Sequence, residues 1–129
     1  MKRTKLELVK IIKLQEVSKK YKDILSSKPK VFVKSLNIYV DGGRENKDDF
    51  KSKWELMNDN KVTTVKDADN NFHPNITKAQ MKDIWSAIVM NGEAVLNEKW
   101  TKENEINQIL LEDYETEDEA IAAVKAIEI

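Results

Sequence analysis

The chain has 129 residues, of which 40% are hydrophobic and 35% are charged, and its net charge is −1. This length and composition are typical of one modest globular domain and exclude a disordered tail. It contains no cysteine, which excludes disulfides and thiolate chemistry. No apolar run approaches the roughly 20 residues of a membrane span, and the first residues lack the unbroken apolar stretch of a secretory signal. We therefore expect a cytoplasmic protein with no membrane partner.

The charge is divided unevenly. Residues 1–34 hold eleven Lys/Arg and three acids, a net +8, whereas residues 35–129 hold eleven Lys/Arg and twenty acids, a net −9. A basic segment of this kind binds nucleic acid, an acidic protein surface or anionic lipid, or it packs on the acidic face of its own protein. We favour packing within the protein or between its copies.

The first predicted element is a helix over residues 4–25. One face carries Leu14, Val17, Tyr21, Ile24 and Leu25. Other apolar residues spread around the first half of the helix, so we expect more than the domain body to cover it. The candidate partner interface combines these residues with neighbouring lysines: Leu8, Val9, Ile11, Ile12, Lys10, Lys13, Lys19 and Lys20.

Alternation predicts one strand over residues 31–40, followed by a turn at Asp41-Gly42-Gly43. On this strand, one face would hold Phe32, Leu36, Ile38 and Val40, and the other Val31, Val33 and Tyr39. A short helix over residues 47–58 follows, with Phe50, Trp54 and Met57 at helical spacing. A second strand is predicted over residues 61–66, and a short extended piece at Phe72-His73.

A long amphipathic helix is predicted over residues 78–111, either as one helix or as two with a break at 101–105. Thr77 and Gln80 form the pattern of a capping box, and Ile76 with Met81 the pattern of a hydrophobic staple. Gly92 lies within the apolar stripe, where the lack of a side chain would let another backbone approach closely. Four large residues of this helix and the preceding one are expected in the core: Trp54, Trp85, Ile88 and Trp100. A second capping box, Thr116 with Glu119, opens a last short helix.

These elements predict an α+β fold in the order α-β-α-β-α-α. A small sheet of two or three short strands is packed by helices, with a long N-terminal helix and a long C-terminal amphipathic helix. A sheet of so few strands is unstable by itself. We therefore expect helices to cover it, or another copy of the chain or a partner to complete it. We expect a basic N-terminal helix or arm over residues 1–30 and an α+β domain over residues 31–129.

Candidate chemical sites are each better explained by structure. Asp67-x-Asp69-x-Asn71 resembles the start of a calcium loop but lacks its glycine and its last glutamate; an ordinary turn bonded by its own side chains is favoured. His73, the only histidine, has no cysteine partners for zinc and precedes Pro74, which favours a structural role. The acids of residues 112–119 bracket a helix start, where the helix dipole favours them. We expect no enzyme activity, catalytic residue, cofactor or metal.

The segment VTTVKDADNNFHPNITKAQMKDIWSAIVMNGEAVLNEKW carries a family resemblance. Its extended piece, its Ala68-Asp69-Asn70 turn, its capped start at Thr77 and the Lys99-Trp100 end occur in a characteristic order. Over residues 31–127 the chain resembles a small domain of unknown function found in bacteriophage and prophage tail-fibre and tail-associated proteins.

The resemblance implies a non-enzymatic phage or prophage protein that acts by protein–protein contacts, as a tail-associated structural or assembly component. Its partners would be tail components or copies of itself, met in the bacterial cytoplasm during assembly or in the virion. The alternative is a small nucleic-acid-binding or host-factor-interfering phage protein that uses the basic helix.

Overall fold

The computed structural model describes residues 4–129 and is a mixed α+β structure. Its elements in chain order are α1 (Lys5–Ser26), β1 (Lys30–Val33), β2 (Ile38–Asp41), α2 (Arg44–Leu56), β3 (Val62–Lys66), β4 (Phe72–Thr77), α3 (Lys78–Asn107), a 3-10 turn (Leu111–Asp113) and α4 (Glu117–Ala126). The strands form two separate antiparallel pairs, β1–β2 and β3–β4. The α+β class and both long helices are thus confirmed. Within residues 4–129, no helix combines the length and the apolar character needed to cross a bilayer.

The chain contacts divide into two compact units. We call Ile24–Val95 the hairpin unit, and the described residues up to Asp23 together with Leu96–Ile129 the helical unit. Helices α1 and α3 each contribute residues to both. The predicted division into an N-terminal arm over residues 1–30 and a domain over residues 31–129 stays a prediction.

The single strand predicted over residues 31–40 is wrong, because the chain reverses in its middle. Strands β1 and β2 pair with Val31 opposite Val40 and Val33 opposite Ile38. Asn37 takes the left-handed conformation, at φ 53°, which asparagine tolerates better than most residues. The reversal changes which residues share a face.

The predicted faces of this segment are therefore wrong as well. The inner face consists of four buried aliphatic residues: Val31, Val33, Ile38 and Val40. Phe32 and Tyr39, assigned to opposite faces, lie opposite each other on the outer face, with ring centroids 5.1 Å apart. Both rings are about half exposed.

The turn after β2 depends on Gly43, which caps α2 at φ 89°. A Cβ atom at this position would come within 2.8 Å of the Leu25 carbonyl oxygen. Glycine is thus needed here for both conformation and space. Helix α2 starts at Arg44, directly after this glycine and three residues earlier than predicted.

The predicted start of α3 is confirmed. The Thr77 N–H donates to Gln80 Oε1 at 2.9 Å, and the Gln80 N–H donates to Thr77 Oγ1 at 3.2 Å. Ile76 and Met81, the two staple residues, are both buried. From this cap, α3 continues to Asn107 as one helix, without a break at residues 101–105.

Gly92 and Trp100 of α3 differ from what the apolar stripe suggests. Among the described residues, a Cβ atom at Gly92 would meet no atom within 4 Å outside the helix's own nearby backbone, so the close approach that this glycine would allow does not occur. Trp100 is 54% exposed instead of buried. At about 100° per residue, Trp100 lies about 120° around the helix from Ile106, the α3 residue that is fully buried in the helical unit.

The core of the hairpin unit lies between the inner faces of its strands and one side of α2 and α3. Its buried residues are Val31, Val33, Ile38, Val40, Phe50, Val65, Ile76, Met81, Ile84 and Ile88. Ile88 is thus core as predicted. Trp54 and Trp85 are only partly buried and pack against this core, with ring centroids 5.8 Å apart.

The helical unit has its own small core. Its buried residues come from three helices: Leu6, Val17, Tyr21, Ile106, Ala120 and Val124. Helix α4 starts as predicted, since Thr116 Oγ1 accepts from the Glu119 N–H at 3.2 Å. A further capping box opens α1, where Thr4 and Glu7 exchange hydrogen bonds of 3.3 and 3.1 Å.

Truncating a buried residue of α3 should destabilise the protein strongly. Ile84 is fully buried, so Ile84→Ala should cost about 2–5 kcal/mol of unfolding free energy. Met90, on the same helix, is 69% exposed, and Met90→Ala should stay within about 0.5 kcal/mol of wild type. Urea unfolding of the three proteins measures both values. Equal stability of the two variants would contradict this core.

Candidate functional site

The predicted interface residues of α1 do not share one environment. Leu8 and Ile12, one helical turn apart, are 47% and 55% exposed. Val9 and Ile11 are half-buried. The apolar residues that remain open to a partner are therefore Leu8 and Ile12.

Two of the four candidate lysines bind the protein's own main chain. Lys10 Nζ donates to the Ile109 carbonyl at 3.0 Å and to the Asn107 carbonyl at 3.4 Å. Lys13 Nζ donates to the Lys125 carbonyl at 3.4 Å. These carbonyls lie at the ends of α3 and α4, where the helix dipole favours a positive charge.

Lys10 and Lys13 therefore bind within the protein, but to main-chain carbonyl oxygens. The expected packing of the basic helix on an acidic face stays a prediction. Lys19 and Lys20 are exposed, and Lys20 Nζ lies 5.4 Å from the centroid of the buried Tyr21 ring. Burial, with a smaller effect of the Glu98 carboxylate, raises the pKa of Tyr21 above 10.0.

A second polar site is the turn between β3 and β4, organised by Asp67. Its carboxylate is buried; Oδ1 accepts from the Asp69 N–H at 2.9 Å and from the Asn71 N–H at 3.0 Å. Oδ2 lies 2.7 Å from His73 Nε2, which donates when the carboxylate is ionised. The prediction of a turn held by its own side chains is confirmed at Asp67.

This turn also joins the two hairpins. The Ala68 N–H donates to the Tyr39 carbonyl of β2 at 2.8 Å. Lys30 of β1 forms an ion pair with Asp69 at 2.7 Å, and that hydrogen bond raises the pKa of Lys30 above 10.5. Asp67 therefore shapes a turn that both β1 and β2 contact.

His73 and Asp67 form a pair, but its geometry supports a structural role. The Asp67 carboxylate bonds to the Asp69 and Asn71 N–H groups of its own turn and to His73 of β4. Within residues 4–129, no three His or acidic side chains come close enough together to hold a metal ion. These hydrogen bonds hold the turn between β3 and β4 in place.

A groove beside the start of α3 is a surface feature that no motif of the sequence indicated. Trp54, Lys78 and Lys82 contribute to it. The sequence contains only an indirect indication of it, the lysines Lys78 and Lys82 at i and i+4. The first turn of α3 has no acidic residue, although negative charge is usually favoured at the start of a helix.

Replacing Asp67 should change both stability and its pH dependence. The His73 hydrogen bond, followed by the backbone donors, holds the pKa of Asp67 below 3.8. Because the pKa is lower in the folded state, the ionised carboxylate stabilises the fold, and this contribution is complete above the unfolded-state pKa of Asp67. It is lost as the pH falls through the folded-state pKa. Asp67→Asn should melt below wild type at pH 7, and the difference in Tm should narrow in acid.

Asp59→Asn is the matched control, because the Asp59 side chain is 94% exposed. It should melt like wild type at every pH. If Asp67→Asn and wild type gave superimposable melting temperatures from pH 2 to pH 8, the Asp67 network would not hold the fold.

Melting should not respond to metal ions. His73 is already paired with Asp67, and the Asp67 turn lacks a bidentate glutamate in the twelfth position, which is Lys78. Melting curves in chelator and in millimolar calcium or micromolar zinc should superimpose. A large rise in Tm with either ion would reverse this expectation.

Comparison with known proteins identifies a family but no activity. The profile of a domain of unknown function, DUF4376, matches residues 40–126. No curated protein and no solved structure matches the chain. The matched segment starts at the end of β2 and includes the Asp67 turn, α3 and α4. The expected resemblance to a domain of unknown function is confirmed, and the chain belongs to the DUF4376 family.

Proposed function

We propose that this chain is a non-enzymatic phage or prophage protein that acts by protein–protein contacts, as a structural or assembly component associated with the tail or tail fibre. The phage setting comes from the resemblance of its β-turn-helix segment to tail-associated domains. The bacterial cytoplasm during assembly, or the virion, would be its location. Its partners would be tail components or further copies of the chain.

The main support for a function by protein contact is the exposed apolar pair on α1. Leu8 and Ile12 are 47% and 55% exposed and adjacent on the helix surface. Burying such side chains against a partner is favourable by roughly 25 cal/mol per Å² of apolar surface. Nucleic acid, in contrast, rewards cations far more than aliphatic side chains.

The hydrogen bonds of two lysines of α1 also favour a protein contact over nucleic-acid binding. Lys10 and Lys13 donate to carbonyl oxygens of the helical unit, and a phosphate would compete with those bonds. The alternative is a nucleic-acid-binding or host-factor-interfering protein. It would use Lys19 and Lys20, which remain exposed.

Substitution on α1 tests the proposal better than its deletion. Val17 and Tyr21 of α1 belong to the core of the helical unit, so removing the helix would disturb the fold. Leu8→Ser/Ile12→Ser should keep the melting temperature but abolish association, measured as solution mass and as capture of tail proteins from induced prophage-carrying cells. Mass spectrometry of purified virions then shows whether the protein remains in the particle.

Two controls separate the alternatives. Leu56→Ser removes an apolar residue that is 84% exposed but lies outside α1, and it should leave association intact. Lys19→Gln/Lys20→Gln should also leave it intact. If Leu8→Ser/Ile12→Ser associates normally while the lysine variant loses binding to duplex DNA or RNA, the nucleic-acid function replaces the proposed one.

A further inference from the structure

The outward face of α1 has an apolar pair at its centre. Val17 and Tyr21, one helical turn apart, are buried in the core of the helical unit. At about 100° per residue, Leu8 and Ile12 lie on the opposite side of the helix, and both are about half exposed. This face of α1 therefore points away from the core of its own unit.

Two opposite charges lie beside this pair, on the same flank of the face. Lys5 is three residues before Leu8, and Glu16 is four residues after Ile12. Lys5 and Glu16 are therefore only about 20° apart around the helix. Both are exposed, and neither forms an ion pair with another residue in the range 4–129. The face thus has a positive charge at one end, a negative charge at the other and aliphatic side chains between them.

This order of charges is complementary to itself when two copies of the helix run antiparallel. A two-fold axis through the middle of the apolar pair places Leu8 of one copy against Ile12 of the other, and the reverse. The same axis brings Lys5 to within about 1.5 Å, measured along the helix, of the level of Glu16 of the second copy. Because the axis is perpendicular to both helices, it also keeps the two charges on the same side of the contact.

The charges disfavour the parallel arrangement. Parallel copies would place Lys5 against Lys5 and Glu16 against Glu16, and like charges across a contact repel. Lys19 lies on the same face, and parallel copies would also bring it against itself. In the antiparallel pair Lys19 is about 6 Å beyond Lys5 of the second copy along the helix. The charge pattern of α1 therefore selects one orientation.

The half-buried apolar residues of α1 border the same contact. Val9 and Ile11 are half-buried and lie on the two sides of the apolar pair, each about 80° from its centre. In the antiparallel arrangement each of them lies beside its own counterpart, about 3 Å away along the helix. The four apolar residues thus form one band across the contact.

We propose that α1 pairs antiparallel with α1 of a second copy of this chain, through Leu8 and Ile12 at the centre and two ion pairs between Lys5 and Glu16. This inference rests on the proposed function, because both use Leu8 and Ile12, and it names a second copy as the partner. The surface lies entirely within the helical unit. Since the contact is only about three helical turns long, we expect a dimer in exchange with its monomer.

Exchanging the two charges tests the pairing in the full chain. Lys5→Glu and Glu16→Lys each replace two attractive contacts of the dimer with two repulsive ones, so each should raise the dimer Kd about tenfold. Lys5→Glu/Glu16→Lys restores both ion pairs in reversed order and should return the Kd close to the wild-type value. Sedimentation equilibrium measures the Kd, and thermal melting shows that each variant is folded.

Lys51→Glu is the matched control, because Lys51 is an exposed lysine on another helix, α2. It changes the net charge as Lys5→Glu does and should leave the Kd unchanged. Equal Kd values for wild type, both single variants and the exchanged variant overturn the pairing, as does equal weakening by Lys51→Glu.

A distance measurement tests the orientation without any charge variant. The chain contains no cysteine, so Lys20→Cys gives a single site for a spin label. In the antiparallel dimer the two labels lie about 30 Å apart along the helices, whereas parallel helices would hold them side by side. A short distance overturns the inference.

The same samples separate this inference from the proposed function. A chain that stays monomeric at millimolar concentration overturns the inference; if it still captures tail proteins through Leu8 and Ile12, the proposed function stands. A charge-dependent dimer that captures no tail protein supports the inference and contradicts the tail role.

Discussion

The hairpin unit depends on the buried carboxylate of Asp67. Its strands form two separate pairs, and a two-stranded sheet is marginal by itself in water. Asp67 organises the turn whose Ala68 N–H bonds the Tyr39 carbonyl of the other pair. A single side chain thereby couples local turn geometry to the packing of both hairpins. The inner faces of β1 and β2 and the residues Val65 and Ile76 of the second pair then join one core.

The helices could be predicted because their ends are encoded locally. Thr77 with Gln80, and Thr116 with Glu119, place a side-chain acceptor at the distance that a helix start requires. The first hairpin could not be predicted, because Val31 to Val40 contains no Gly or Pro and its turn signals, Ser35 and Asn37, are weak. Period-2 alternation is the same for one long strand and for two short ones, so only tertiary contact distinguishes them.

The candidate site shows the same limit. Sequence spacing placed eight residues on one helix as an interface, yet it could not show that Lys10 and Lys13 donate to carbonyls nearly a hundred or more residues away. It also placed Trp100 in the core, although Trp100 lies about 120° around α3 from the buried residues Ile88 and Ile106. Long-range contacts decide where the two lysines bind, and no local pattern contains them.

The family match covers the groove beside α3 but not the exposed apolar pair of α1. DUF4376 covers residues 40–126, which include every residue lining the groove beside α3. Helix α1, Lys5–Ser26, lies outside the match. Membership in the family therefore says nothing about Leu8 and Ile12, which lie outside the matched residues. A contact through Leu8 and Ile12 would therefore be a property of this chain, and the family match does not require other members to share it.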